Sequence, residues 1–307
     1  VRHRVPAGTH STAAYLALVS VCFFWGTTYL GIRMALESFP PMLLVSLRFV
    51  TSGSILLIAA VLKGARLPRG RELWSTAFTG ILLLGGGNAC LVIAETWIPS
   101  GLAALIITLS PFWMVGFEAV LGGERLHRTA IIGMLVGLAG AALLVSADIA
   151  DATIGAVTLK GFLVLQLGNA CWTFGSIWHR RQPAQAHPIV AGAIQQLAAG
   201  LAVAPFAVLV PEHAVMPTFR GIAALVYLII FGSIVGYSSY IYALMHLPVA
   251  VVSIYPYINP VVAVILGWVF YREHFGLQDA VAMVIIFAGV AVVKRYGGKS
   301  RSDAPSD

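Results

Sequence analysis

Arg48 stands inside an apolar run, and no Asp or Glu occupies the middle of any such run. Neutral polar side chains within apolar stretches include Asn88, Thr108, Ser110, Gln195 and Asn259. Aromatic residues accompany them, notably Trp25, Trp172, Tyr237, Tyr240 and Tyr257. Such a set can pair a charge, donate and accept hydrogen bonds, and stack on an apolar body. It can recognise a small molecule without making or breaking a bond. The motifs of hydrolytic enzymes, HExxH and GxSxG, do not occur, and no two acids pair within an apolar run. His179, His187, His246 and His274 fall at the ends of runs, so no metal site is expected. Cys22, Cys90 and Cys171 are widely separated within runs, as suits small buried side chains rather than disulfides. Neither a catalytic centre nor a cofactor is expected.

The elements that carry these residues follow from composition. Hydrophobic residues make up 59% of 307 and charged residues 10%, with a mean hydropathy of +0.89. Soluble domains carry about 25% charged residues. The chain therefore reads as an all-α integral membrane protein with lipid as its surroundings. The net charge of +7 is explained by loop anchors rather than by a surface for nucleic acid.

A membrane helix needs roughly 20 mainly apolar residues. Ten runs meet that length, at about 13–34, 41–62, 73–94, 98–120, 128–147, 158–178, 188–209, 220–243, 248–270 and 277–294. Pro41, Pro99, Pro188, Pro211 and Pro248 fall at run ends, where helices begin or stop. With the N-terminus inside, fourteen of the nineteen Lys and Arg residues lie on the inner side and four outside, leaving Arg48 within a helix. That bias predicts both termini in the cytoplasm of a multi-pass protein of the cell inner membrane.

The chain also repeats itself. TLSPFWMVGFEAVLGGERL at 108–126 and YINPVVAVILGWVFYREHF at 257–275 share a proline and a glutamate 149 residues apart. Trp25 matches Trp172, Arg33 matches Arg180, Pro41 matches Pro188 and Arg48 falls on Gln195, all at an offset of 147. Helices 1–5 (residues 13–147) thus recur as helices 6–10 (residues 158–295), followed by a cytoplasmic tail at 296–307. Five is odd, so the second copy crosses in the opposite sense. Ten transmembrane helices in two inverted five-helix repeats are a common plan for secondary transporters.

At these residues the chain resembles a known family. The halves are similar to EamA domains of the drug/metabolite transporter superfamily. The likeness rests on Trp25-Gly26, SLRF at 46–49, SPFW…GGERL at 110–126, INPVVAVILGWVFYRE at 258–273 and the small-residue helices that follow. It covers about residues 13 to 295. The resemblance implies ten helices, cytoplasmic termini and transport of small metabolites, often outward; members include amino-acid exporters. Efflux of other amphipathic solutes or drugs is the alternative that the sequence leaves open. TLSP lacks the aromatic residues that precede the proline in aromatic-amino-acid exporters.

Repeat transporters bind substrate near the midplane between their halves. Trp25, Asn88, Thr108, Ser110, Trp172, Tyr237, Tyr240, Tyr257 and Asn259 are the expected contacts. Pro111 and Pro260 each remove a backbone donor, freeing carbonyls near 107 and 256. Ser110 and Asn259 stand beside them to supply hydrogen bonds. Pro111, Pro260, Arg48 and Gln195 are assigned structural or gating roles, with Glu37 or Glu95 as partners for Arg48 at an outer gate. Glycines 133, 137, 140 and 289 predict close packing of helices 5 and 10, as scaffold or dimer face. Monomer and dimer are both open. Glu118 lies near the inner end of helix 4. With no carboxylate at a helix centre, transport driven by the metabolite gradient is expected.

Overall fold

The protein is represented by a computed structural model that describes residues 12–122, 128–149, 152–182, 186–209, 217–247, 249–252 and 255–296. Long helices account for nearly all of them. In chain order they are α1 (Thr12–Leu36), α2 (Pro41–Leu62) and α3 (Gly70–Ala94). Next come α4 (100–122), α5 (Arg128–Ile149), α6 (Ala152–Arg181) and α7 (Pro188–Leu209). The last three are α8 (219–246), α9 (Tyr255–Tyr271) and α10 (Leu277–Tyr296). No strand occurs among the described residues. The boundaries lie close to those expected from the apolar runs, because prolines and charges mark the same points. The largest differences are at α9, which begins seven residues late at Tyr255 after a separate short turn at Val249–Val252, and at α6, which begins six residues early at Ala152.

Six of these helices are long and apolar enough to cross a membrane by length and composition. Many outward side chains are large and apolar, such as Leu16, Phe23, Ile58, Leu163, Leu201 and Phe206. Water would reject that surface, whereas lipid solvates it.

Close approach of helices follows from glycine. α2 packs along α7, and a Cβ added at Gly53 would lie 2.7 Å from the Leu197 nitrogen. One added at Gly200, 147 residues later, would lie 2.7 Å from the Val50 nitrogen. α5 packs along α10 through Gly133, Gly137 and Gly289; a Cβ at Gly289 would sit 2.5 Å from the Gly137 nitrogen. The glycine faces of α5 and α10 therefore meet each other within one chain.

Other contacts cross between the halves in swapped pairs. α1 packs on α8 and α9, while α6 packs on α3 and α4. α2 also touches α8, and α7 touches α3.

Three helices are interrupted. α4 breaks into Ser100–Ile107 and Ser110–Gly122, with a turn at Thr108 and Leu109 before Pro111. α3 and α8 each contain a widened π-helical stretch, Ile81–Asn88 and Leu228–Val235. The two stretches are 147 residues apart, so the spacing of the repeat holds through residue 235. Nothing in the apolar pattern predicts these stretches. Glycines lie in both: Gly86 and Gly87 press on Cys171 and Trp172 of α6, and Gly232 presses on Thr28 and Arg48. Such segments recur at functional sites.

Candidate functional site: a central cavity with unpartnered polar atoms

A cavity with a water-accessible volume of about 150 Å³ lies among α1, α2, α3, α4, α6, α7, α8 and α9. Neither α5 nor α10 contributes to its lining. Its aromatic wall includes Trp25 and Tyr29 from α1, Trp172 from α6, Tyr237 from α8 and Tyr255 from α9. Its polar lining includes Arg48, Asn88, Ser110, Asn169, Gln196, Ser233 and Asn259.

The walls are braced by hydrogen bonds between distant parts of the chain. Trp25 Nε1 donates to the Gly232 carbonyl at 3.1 Å, and its ring lies 5.1 Å from Tyr255 and 5.2 Å from Tyr240. Arg48 Nε donates to Ser233 Oγ at 2.9 Å, and the guanidinium carbon lies 4.9 Å from the centre of the Phe49 ring. The π-helical stretch of α8 thus supplies an acceptor for each. Tyr237 donates to Gln195 Oε1 at 2.9 Å, and Ser52 donates to Gln196 Oε1.

Three buried polar atoms in this lining lack a protein partner: Arg48 Nη1, Gln196 Nε2 and Asn88 Oδ1. Arg48 is only 5% exposed and Gln196 1%. Unpaired buried groups cost of the order of 1–3 kcal/mol each, more for a charge, so such groups call for a partner. Two are donors, one of them cationic, and the third is an acceptor. Together with the aromatic wall they suit a ligand that has an anionic end, a donor group and an apolar body.

The cavity brings together Trp25, Asn88, Ser110, Trp172, Tyr237, Asn259 and Arg48 among the residues singled out from sequence. It does not include Thr108, Tyr240, Tyr257, Gln195, Pro111 or Pro260. Thr108 is buried in the break of α4, its hydroxyl donating to the Leu105 carbonyl at 2.6 Å. Tyr240 stands behind Trp25 and Tyr255. Tyr257 is two residues from the lining residue Tyr255, about 200° round the helix, and packs edge-on against Phe287 of α10. Gln195 is occupied by Tyr237, so its neighbour Gln196 reaches the cavity instead. Pro111 follows the break in α4, and Pro260 lies within the unbroken helix α9.

Asn259 acts on carbonyls, as expected: with its amide turned to satisfy its surroundings, it donates to the Tyr255 and Cys22 carbonyls, both at 3.0 Å. In α4 the side chain that serves a carbonyl near the kink is Asn169, which donates to Ile106 at 3.3 Å. Asn169 was not among the sequence candidates, although it falls 147 residues after Cys22. Glu124 and the side chain of Glu118 lie outside the described residues.

The ends of α1, α8 and α9 are tied near residue 273. Arg272 adopts a positive φ of 52°, an uncommon conformation for a side-chain-bearing residue. That turn directs Glu273 to the start of α4, where it accepts hydrogen bonds from the Ser100 and Gly101 amides at 3.0 and 3.1 Å. Arg33 Nε is 3.5 Å from the same carboxylate. Beside it, Glu37 pairs with Arg220 at 3.4 Å and accepts a hydrogen bond from Tyr271. Glu95, at the end of α3, is buried and 2% exposed.

The pattern of the EamA-like transporter family matches this chain twice, over residues 12–146 and 159–295. The chain belongs to the EamA-like transporter family. Among EamA relatives, the inner membrane transporter YedA of Escherichia coli strain K12 is 34% identical over 279 residues, covering 90% of this chain and 89% of YedA. A probable terminal-alkyne amino-acid exporter of Streptantibioticus cattleyicolor is 27% identical, over 92% of this chain and 93% of its own. A crystal structure of another protein matches the fold with a TM-score of 0.64 at 25% identity, covering 95% of this chain and 100% of that one. This EamA protein is a transporter and not an enzyme, and is integral to the inner membrane.

Proposed function

We propose that the chain is a secondary transporter that exports small metabolites such as amino acids by alternating access. The observation that carries this reading is the set of unpartnered polar atoms in the aromatic cavity. Arg48 Nη1 and Gln196 Nε2 are suited to a carboxylate, and Asn88 Oδ1 to an ammonium group. Trp25, Trp172 and Tyr237 flank the apolar body. The name of the exporter from Streptantibioticus cattleyicolor supports the same substrate class.

The architecture proposed is ten membrane helices in two inverted repeats, 13–147 and 158–295, with both termini in the cytoplasm. Its support is the swapped packing of α1 on α8 and α9 and of α6 on α3 and α4, the equivalent glycines 53 and 200, and the equivalent π-helical stretches. Rocking of one half against the other around the cavity would expose it to each side in turn.

The test is counterflow in proteoliposomes with amino acids, sugars and amphipathic cations. Saturable exchange of amino acids, weakened in Asn88→Ala and Gln196→Ala, is the expected result. Exchange of the cations alone would favour drug efflux. No flux of any solute through demonstrably folded protein would overturn the transport reading at this cavity.

A further inference from the structure

Glu95 has surroundings that a carboxylate at a helix end does not ordinarily have. It follows the last residue of α3, where a carboxylate is expected to meet water. Instead it is 2% exposed, and neither carboxylate oxygen has a hydrogen-bond partner. An ionised carboxylate in such a place would lose its hydration with no hydrogen bond to replace it. The charged and titratable groups around it come from several elements. Tyr29 and Arg33 belong to α1, Arg48 to α2, and Glu273 to the turn after α9. Lys160 of α6, nearby, holds its ammonium 3.9 Å from the centre of the Trp97 ring.

These neighbours do not neutralise one another at Glu95. Arg33 is engaged with Glu273 at 3.5 Å and with the Ile98 carbonyl at 3.3 Å. Arg48 is turned into the cavity, with one nitrogen bonded to Ser233 and Nη1 unpartnered. No ion pair within 4.0 Å joins Glu95 to either arginine among the described residues. Burial, the largest influence on it, holds its pKa above the ordinary carboxylate range, and the negative charge of Glu273 adds to that; the two arginines oppose it.

We infer that Glu95 is a proton-binding site, neutral in this conformation, and that its protonation and the binding of a carboxylate at Arg48 reinforce each other. A neutral Glu95 leaves Arg48 without a counter-ion, free to pair a carboxylate in the cavity. An ionised Glu95 attracts Arg48 and competes with the ligand. The linkage is reciprocal, so ligand binding must also favour the proton. The second half of this inference rests on the carboxylate reading of the cavity; the protonation of Glu95 does not.

The two halves are tested separately on the full chain. Infrared spectroscopy of the reconstituted protein at neutral pH should contain the carbonyl-stretch band of a neutral carboxylic acid. That band should disappear in Glu95→Gln, shift in Glu95→Asp, and persist in Glu273→Gln. Absence of the band in the wild type, or its persistence unchanged in Glu95→Gln, overturns the proton site. For the linkage, L-phenylalanine and 2-phenylethylamine serve as probes with and without a carboxylate. Calorimetry in buffers of different ionisation enthalpy should reveal proton uptake when phenylalanine binds, absent in Glu95→Gln and absent with phenylethylamine. Phenylalanine affinity should weaken with rising pH by at most about tenfold per unit, the limit for one linked proton. Binding without proton uptake throughout the pH range in which the infrared band fades overturns the linkage. If phenylalanine does not bind, the linkage fails together with the carboxylate reading, and the infrared result still decides Glu95.

Discussion

The carboxylate of Glu273 caps the first turn of α4, 173 residues earlier in the chain, accepting from the amide and hydroxyl of Ser100 at 3.0 Å. A helix N-terminus presents unpaired amides and a partial positive charge, so an acid there satisfies donors and field together. Glu273→Ala should lower stability by about 2 kcal/mol, the range for a charged hydrogen bond. Thermal unfolding in detergent is the measurement. An unchanged midpoint would mean that the contact holds nothing together.

The carboxylate also needs room. A Cβ on Gly267 would lie 2.2 Å from Glu273 Oε2. Gly267→Ala should therefore displace the cap and destabilise the protein about as much as Glu273→Ala, and the double variant should lose little more. Additive losses in a double-mutant cycle would separate the two sites and refute the connection.

Trp25→Phe should impair transport more than it impairs folding. The change keeps an aromatic ring beside Tyr255 but removes the donor to Gly232, a hydrogen bond with a net value of about 1 kcal/mol. Initial rates in proteoliposomes, normalised to folded protein, should fall by at least about fivefold, the equivalent of that energy. Tyr257→Phe should transport normally, because Tyr257 faces α10 rather than the cavity. Equal losses in both variants would mean that the cavity does not mark the substrate path.

The pH dependence of stability has a definite sign at Glu95. Its pKa is raised in the folded protein, so the native state keeps a proton that the unfolded chain has released. Stability from this group is thus lost as pH rises from the ordinary carboxylate pKa towards the folded one, and is unaffected below that window. Glu95→Gln should remove this slope, making the variant relatively more stable than wild type at the upper end. Parallel stability curves for the two proteins would exclude a raised pKa.

Orientation is checked with single cysteines in a cysteine-free background. A cysteine at Ala65, between α2 and α3, should react only from inside, and one at Pro217, before α8, from outside. Reversed labelling would overturn the inward bias of Lys and Arg.

Much of this arrangement is legible in the residues. α2 runs from Pro41 to Leu62 and α7 from Pro188 to Leu209, as the apolar runs and their prolines indicate. Trp25, Asn88 and Trp172, which lie deep within their apolar runs, line the cavity. What the residues do not disclose is rotation. A helix that is apolar all round has no polar stripe to orient it, so Gln195 and Gln196 look alike until α8 brings Tyr237 to one of them. The same uncertainty turns Tyr257 away and brings Pro256 in. The burial of Glu95 is likewise not legible in the residues. The end of a run indicates water only if neighbouring elements leave that end uncovered, and here they bury it. The expectation concerned helix centres, and the buried carboxylate lies at a helix end.

The seam between α5 and α10 also affects how the molecule is made. A Cβ on Gly289 of α10 would meet the backbone of both Gly133 and Gly137, and one on Gly133 would meet the Gly289 carbonyl and the Val292 side chain. Gly137 and Gly289, whose backbones meet, are 152 residues apart, so this contact forms only after α10 has been made. A polypeptide stopped after α9 lacks Gly289, and the glycine backbone of α5 loses the neighbour that Gly289 provides.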